Sequence, residues 1–308
     1  MSALSKSAFS LPAVCLASLF CAGAAQAEVV DITLNGANVY ALGNFNSTFT
    51  SIGGAVDVAG NFTSTVTTIG KQSKANGYSL VVGRNITSGL TTLNGGKYYA
   101  GGKVVSILSS GKKSTTLPLS FASTSAALKT ESTTLDALRN TGTASLTKKG
   151  TLDFKTSGSG AQIFDVSAKS LESAFNYSLG SLTKGSTVIL NVSGSAADFG
   201  VLNNFSGFKG YNVLFNFEDA CTVNMALGFG TFYGNILATK ATLTGITGTI
   251  DGNVAVNNWN SILKVNSGYG FSAVLPTVAA AVPEPETYAL LFAGLGLMGF
   301  MARKRQAA

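Results

Sequence analysis

The sequence predicts a mainly β protein, a right-handed parallel β-helix or solenoid with one long flanking α-helix. Charged residues make up only 11% of the chain, which has 36 glycines and no histidine. This composition is typical of short strands joined by many tight corners, and it argues against a helical bundle or a dinucleotide-binding enzyme. A strand-glycine motif also recurs at near-regular spacing, and a single stretch of helical periodicity interrupts it.

The recurring motif is a short apolar strand, then glycine, a polar residue and a second apolar strand. Its first four glycines are 17, 23 and 19 residues apart: Gly43, Gly60, Gly83 and Gly102. Later copies at Gly234-Asn235 and Gly252-Asn253 are 18 residues apart. Units near 20 residues that stack their apolar faces are typical of solenoids. A meander of antiparallel hairpins shows similar spacing, and we favour the parallel coil.

The helix is predicted at about residues 119–140. Its apolar stripe consists of Phe121, Leu128, Leu135 and Leu138, which are spaced for one helical face. A narrow stripe predicts that the helix lies along the side of the β body. Because the glycine motif returns afterwards, we interpret the helix as an insertion within one solenoid.

The first 27 residues are predicted to be a secretory signal peptide. Lys6 precedes an apolar stretch that ends in Ala25-Gln26-Ala27, an A-x-A site for signal peptidase. The mature chain should therefore begin at Glu28. A retained N-terminal anchor is the alternative.

The last segment, residues 282–308, has three parts after a linker at 276–281. Pro283-Glu284-Pro285 is followed by an apolar run at 287–302 and then by Arg303-Lys304-Arg305. The run is shorter than the roughly 20 residues of a full membrane span, and its basic end predicts a cytoplasmic location. A buried core helix or a plain tail anchor is the alternative.

This order of motif, short membrane helix and basic end resembles the PEP-CTERM sorting signal of Gram-negative bacteria. The resemblance implies that an exosortase recognises and removes the tail. The chain would cross the inner membrane, be anchored there transiently by its C-terminal helix, and then reach the cell surface or the extracellular space.

The residue types exclude several chemistries. Without histidine there is no serine-histidine triad, and Cys221, the one cysteine of the mature chain, cannot form a thiolate zinc site. We expect Cys221 to be buried. Glu218-Asp219 is the only adjacent acidic pair of the mature core, and we expect a turn there and not an acid/base pair. We predict no catalytic residue, no metal and no cofactor.

Acidic and amide residues near the glycine corners are a second candidate for metal binding. Asp57, Asp251 and Asn253 could supply oxygen ligands to calcium. No repeated aspartate-rich spacing supports such a site, so we interpret them as turn-forming residues.

Two features could form a ligand surface. Threonines alternate at Thr63, Thr65 and Thr67 and again at Thr242 and Thr244, and alternate residues of a strand share one face. Threonine also suits ordinary strand surfaces. Trp259, the only tryptophan, could stack on a sugar or could cap the last coil, and we favour the cap.

The body of the chain, residues 28–275, resembles the choice-of-anchor A domain. The resemblance rests on four stretches of the second half, together with the strand before Gly60 and the helix near Phe121. The four stretches are Asn191–Gly194, Val213–Phe217, Phe232–Ala238 and Ile250–Val254. It departs from the pattern at Thr239-Lys240, where relatives have proline and asparagine. It implies a secreted adhesive module with a β-helix-like body.

We therefore predict a non-catalytic, exported surface or matrix protein that binds exopolysaccharide or another surface ligand. The lysines are scattered and form no stripe with aromatics, so nucleic acid is not an expected partner. A β-helix polysaccharide lyase or glycosidase, or an ice- or crystal-binding protein with a threonine face, are the alternatives.

Overall fold

A computed structural model describes residues 28–32, 34–70, 75–156, 160–268, 270–275 and 294–295. All but the last two belong to one compact unit, Ala27–Pro276. The unit is mainly β with one long helix, as predicted. The signal peptide and almost all of the sorting segment lie outside the described residues. Among those that are described, no helix is long and apolar enough to cross a membrane.

The elements follow one another as strands, a long helix and more strands. The first ten strands are β1 (Glu28–Ile32), β2 (Ala37–Ala41), β3 (Phe45–Ile52), β4 (Ala55–Val58), β5 (Phe62–Ile69), β6 (Tyr78–Val82), β7 (Ile86–Thr92), β8 (Lys97–Ala100), β9 (Val104–Ser109) and β10 (Lys112–Lys113). The helices are α1 (Phe121–Asp136) and the short α2 (Ala168–Glu172), with 3-10 turns at Leu34–Gly36 and Phe205–Phe208.

The remaining twelve strands follow helix α1. They are β11 (Gly142–Leu146), β12 (Thr151–Thr156), β13 (Gln162–Ser167), β14 (Asn176–Ser178), β15 (Thr187–Ser193), β16 (Ala196–Phe199), β17 (Asn212–Asn216), β18 (Thr222–Tyr233), β19 (Asn235–Asp251), β20 (Val254–Ser261), β21 (Lys264–Asn266) and β22 (Phe271–Leu275).

Two long ladders of parallel strands form the body. The first, called the covered ladder, runs β13, β15, β17, β19, β20, β2, β4, β6, β8 and β10. The second, called the open ladder, runs β16, β18, β19, β20, β3, β5, β7 and β9. Successive glycine repeats therefore pair in parallel and not as hairpins.

The order of strands in space differs from their order in the chain. The repeat region begins in the middle of both ladders, where β20 pairs with β2 and β3. It grows outward to β10, passes through α1, and restarts at the far end with β13. The later strands then return to the middle. Helix α1 therefore connects the two ends of the ladders. The prediction that it is an insertion within the solenoid is wrong.

The covered ladder is buried on both sides along most of its length, although β8 and β10 at one end are partly or fully exposed. Val39 and Ala41 of β2 point into the main core, while Tyr40 lies in a second apolar cluster with Leu128 and Leu135 of α1. Parallel strands that are covered on both faces have continuous apolar sequences. This explains why β2, β4 and β6 are buried at every position.

The open ladder is buried on its inner side alone. Along both β3 and β5, buried and exposed residues alternate at first. Two exposed residues then follow each other, and the next residue is buried again. The core on the inner side is dominated by aromatic stacking: the Trp259 ring lies 5.5 Å from that of Phe45, which lies 4.9 Å from that of Phe62.

Two small sheets complete the unit. β1 pairs antiparallel with β22, which places Glu28 opposite Leu275, so the first and last strands of the domain are neighbours. β11, β12 and β14 form a separate three-stranded sheet.

Helix α1 is shorter than predicted, but its packing is as expected. Ser120 caps its start and accepts a hydrogen bond from the Ser123 amide. Leu128, Ser132 and Leu135 are buried. Leu138 is also buried, although the helix ends at Asp136.

Amides of the covered ladder hold the helix from below. The Asn191 side chain donates to the Leu135 carbonyl at 2.7 Å. The Ser132 hydroxyl donates to the Asn216 side chain at 2.6 Å, and that side chain donates back to the Ser132 carbonyl at 2.9 Å. Because these buried side-chain amides form hydrogen bonds with the helix, they fix its position on the ladder.

The glycine repeats form corners at which the backbones of successive turns meet. A Cβ atom on Gly60 would lie 2.5 Å from the carbonyl oxygen of Gly43, which explains the glycine in the motif. The asparagines beside these corners form a ladder of side-chain acceptors, Asn258, Asn44, Asn61 and Asn85. Each accepts a hydrogen bond from the backbone amide of the next turn, at 2.8 to 3.2 Å.

Candidate functional site

The outward side of the open ladder around β3, β5 and β7 is the main candidate surface, called the open face. Asn46, Thr63 and Thr87 occupy equivalent positions on these strands and pair in register. All three are exposed. Neighbouring parallel strands lie about 4.8 Å apart, so amide and hydroxyl groups repeat along the ladder at that interval.

An apolar column runs beside this polar one. Phe49, Val66, Leu90 and Ile107 pair in register across four strands, and their exposed fractions are 61, 37, 40 and 67%. A single exposed apolar side chain is ordinary, whereas a contiguous column marks an interaction surface. The open face therefore presents an apolar row and a row rich in hydroxyl and amide groups side by side.

A shallow depression of about 420 Å³ lies in the open face. Its walls come from both halves of the chain, because β3 and β5 meet β20 there. The lining includes Asn46, Thr48, Thr63, Thr65 and Asn260. These side chains can donate and accept hydrogen bonds to hydroxyl groups of a ligand.

The structure brings only some of the predicted threonines together. Thr63 and Thr65 are exposed on the open face. Thr242 and Thr244 are half-buried on β19 of the same ladder, where Thr244 pairs with Asn260 and Asn260 with Asn46.

The prediction that Thr67 shares a face with Thr63 and Thr65 is wrong. Thr65 and Val66 are both exposed, so the alternation shifts by one residue and Thr67 points inward. Thr67 is 1% exposed, and its hydroxyl has no hydrogen-bond partner. It belongs to an inner column with Thr50 and Thr91.

Trp259 is not available to a ligand. It is fully buried in the aromatic stack, and its indole nitrogen donates to the Ser261 carbonyl at 2.9 Å. It does not cap the last coil either, because β20 lies in the middle of the ladders, next to β3. Trp259 joins the two halves of the chain.

The sequence contained a signal for the open-face residues that single-strand alternation missed. Each asparagine of the ladder is followed by a core residue and then by an outward one. The repeats Asn44-Phe45-Asn46, Asn61-Phe62-Thr63, Asn85-Ile86-Thr87 and Asn258-Trp259-Asn260 align in this way. The alignment identifies Asn46, Thr87 and Asn260 as surface residues and places Trp259 in the core.

The sequence singled out two further candidate groups, the acidic pair Glu218-Asp219 and Cys221. Glu218 and Asp219 lie in a bend, as predicted, and pair with Lys240 at 2.6 and 3.7 Å. The hydrogen bond to Glu218 raises the pKa of Lys240. Cys221 was expected to be buried, but it is exposed because it lies in the corner before β18.

The candidate calcium ligands are dispersed. Asp251 accepts a hydrogen bond from the Asn266 side chain, and the backbone amide of Asn253 donates to the Asn235 side chain. Asp57 lies within strand β4, so its predicted role in a turn is wrong. Within the described part of the chain, no three Asp, Glu, Cys or His side chains lie close enough to hold a metal ion.

Asp57 is unusual because it is buried beside α1. It lies between Tyr40 and Val81 in the covered ladder. Its Oδ1 atom has no hydrogen-bond partner. Burial raises the pKa of this carboxyl group to about 7, since the charged form loses its hydration. The adjoining void is only about 10 Å³, too small for a ligand.

A family model described as "Putative Ice-binding-like adhesive domain" matches residues 32–268, which is most of the chain. The chain belongs to this family. The open and covered ladders thus together form an ice-binding-like adhesive domain. No curated protein and no solved structure matches the chain.

A second model, the PEP-CTERM protein-sorting motif, matches residues 281–306. The match confirms that the chain carries a PEP-CTERM sorting motif, and the matched residues include Pro283-Glu284-Pro285 and Arg303-Lys304-Arg305. This motif indicates an exported protein that an exosortase recognises and that is anchored through its C-terminus. The adhesive domain is therefore carried on a chain with a sorting tail.

Proposed function

We propose that this protein is a non-catalytic surface or matrix adhesin whose open face binds exopolysaccharide or another surface ligand. Signal peptidase would cut before Glu28, and an exosortase would cut near Pro283–Pro285. We also propose that the two parallel ladders are a right-handed β-helix and that the domain is of the choice-of-anchor A type. The observation that carries the proposal is the in-register open face on a domain joined to a sorting tail.

The binding surface is tested with exopolysaccharide purified from the host's own cultures and immobilised on a sensor. The full mature protein is compared with a Thr63→Leu/Thr87→Leu variant, which removes two hydroxyls and adds bulk. We expect binding to weaken at least 10-fold. Thr130→Leu, at an exposed position on α1, is the matched control. Equal binding by all three proteins, or depolymerisation of the glycan, would overturn the proposal.

The processing part is tested separately by intact mass of the protein secreted from its native host. We expect a polypeptide that begins at Glu28 and ends near Pro285, with any attached group as added mass. A polypeptide that extends to Ala308 would contradict exosortase cleavage, whatever the open face binds.

Ice or another crystalline surface is a second candidate ligand. It is favoured by the family to which the chain belongs and by the strand-spaced column Asn46, Thr63 and Thr87. Thermal hysteresis should be measurable for the intact protein and should disappear when Thr63, Thr65 and Thr87 are changed to leucine. No hysteresis in the unaltered protein would exclude this candidate.

A further inference from the structure

A second recess, away from the open face, lies beside the corners that follow the 3-10 turn Phe205–Phe208. It has a volume of about 410 Å³, within the range of small-ligand sites. We call it the tyrosine cleft, and its side-chain lining includes Lys209, Tyr211, Asn212, Tyr233 and Asp251. We propose that it binds an acidic sugar unit of a polysaccharide.

Glycines form part of the wall of the cleft. Gly185, Gly210 and Gly234 form part of its wall, and the last two have φ angles of +84° and +148°. A Cβ atom on Gly234 would lie 2.7 Å from the Phe215 ring. Because these three residues have no side chain, the wall there is bare backbone, and a ligand can approach closely.

Part of the cleft is rigid. The Tyr211 hydroxyl lies 3.2 and 3.1 Å from the Leu179 and Leu182 carbonyls. The Lys184 ammonium lies 4.0 Å from the centre of the Tyr211 ring and donates to the Lys209 carbonyl at 2.6 Å. Tyr211 and Lys184 therefore hold one wall in place.

The other part of the cleft contains a lysine whose hydrogen-bonding capacity is unused. The Lys209 ammonium lies 5.7 Å from the centre of the Tyr233 ring and makes no hydrogen bond or ion pair with a described residue. Tyr233 pairs with Asp251 on the neighbouring strand, so ring and carboxylate lie side by side. Such convergence of an aromatic ring with a few polar groups is typical of binding sites.

The chemistry of these groups selects the ligand. Lys209 and Asp251 line the cleft with one charge of each sign. Lys184, which packs on the Tyr211 ring beside the cleft, adds a second positive charge, so the local balance favours an anion. Lys209 can pair with a carboxylate, and Asp251 can accept hydrogen bonds from hydroxyls. The half-buried Tyr233 ring offers an apolar surface for the CH face of a sugar. A uronic acid carries all three complementary features.

The test compares two hexasaccharides with the full mature protein by titration calorimetry at constant ionic strength. The β-1,4-linked hexamannuronate carries carboxylates where β-1,4-mannohexaose carries hydroxymethyl groups. We expect hexamannuronate to bind at least 10-fold more tightly. Lys209→Gln and Tyr233→Ala should each weaken its binding at least 10-fold, whereas Tyr233→Phe, which keeps the ring, should stay within about 3-fold.

Lys103→Gln is the control for general charge attraction. Residues 58–130 contain eight lysines and arginines and no acidic residue, so this region would attract any polyanion. The variant should bind hexamannuronate as the unaltered protein does. Equal binding of the two hexasaccharides, equal losses for Lys103→Gln and Lys209→Gln, or no binding would overturn the proposal. The open-face variants leave the cleft intact, so failure of one site is distinguishable from failure of the other.

Discussion

The covered and open ladders are built from the same turns of chain but have opposite surroundings. In the covered ladder, α1 packs on the outer side, and Tyr40 and Leu135 are fully buried. In the open ladder the outer side faces solvent, and Phe49 and Ile107 are more than half exposed. The two ladders share one inner core, so they differ only in what lies outside them.

This difference separates residues that maintain the fold from residues that are free to bind. On the covered side, every polar group has a structural consequence, because it must be paired or it destabilises the protein. On the open side, a polar residue can replace an apolar one, or the reverse, with little effect on the stability of the fold. A function that evolves by surface substitution is therefore expected on the open ladder.

The largest expected contrast comes from one substitution made on each side. Leu135→Ala leaves a cavity beneath α1 and should lower the free energy of unfolding by about 2 to 5 kcal/mol. Leu90→Ala, the same change at a 40% exposed position of the open face, should cost less than about 1 kcal/mol. Urea unfolding of the full chain measures both, and similar losses would show that the open face is packed against something.

Asp57 offers a second contrast, through pH. Burial raises its pKa to about 7 in the folded protein from an ordinary value of 3.8. The folded state therefore binds this proton more tightly than the unfolded state does. The resulting stability is fully present below about pH 4, falls as pH rises to about 7, and is then absent.

Asp57→Asn should remove this pH dependence. The protein should lose about 2 to 4 kcal/mol between pH 4 and pH 8 from this group, and the variant should lack that part of the slope. Asp198→Asn on the open ladder leaves the Asp57 carboxyl in place and should keep the slope. Unfolding midpoints at several pH values test this, and an unchanged slope in Asp57→Asn would place the effect elsewhere.

The same contrast explains what the sequence could reveal. Composition and the spacing of Gly43, Gly60 and Gly83 predicted the β class and the repeats, because each corner requires glycine. The stripe of Leu128 and Leu135 predicted the helix and its side-on packing. The return of the chain to the middle was not predictable, since pairing of β20 with β2 and β3 depends on contacts more than 200 residues apart in sequence.

The candidate surface was predicted only in part, for a local reason. Strict alternation places Thr67 with Thr63 and Thr65, but two successive exposed residues shift the pattern. The position of Trp259 could not be predicted from its own neighbours. Alignment of its repeat with that of Phe45 identifies it as a core residue. The tyrosine cleft had no local signal, because Lys209, Tyr233 and Asp251 come from separate turns.

The asparagine ladder allows a test in which the expected change in stability is the smallest. It compares an asparagine at a corner with an asparagine on the open face. The Asn61 side chain accepts from the Asn85 amide at 3.2 Å and from the Asn85 side chain at 3.1 Å, so it joins two turns at their corner. Asn61→Ala should cost about 1 kcal/mol, the net value of such a hydrogen bond. Asn46→Ala changes the same residue type two positions after a ladder asparagine, where the side chain faces solvent on the open face, and should cost less than about 0.5 kcal/mol. Thermal unfolding resolves this difference.

Equal losses would mean that the open-face asparagines also hold the turns together, and the open ladder would then not be free to vary for binding.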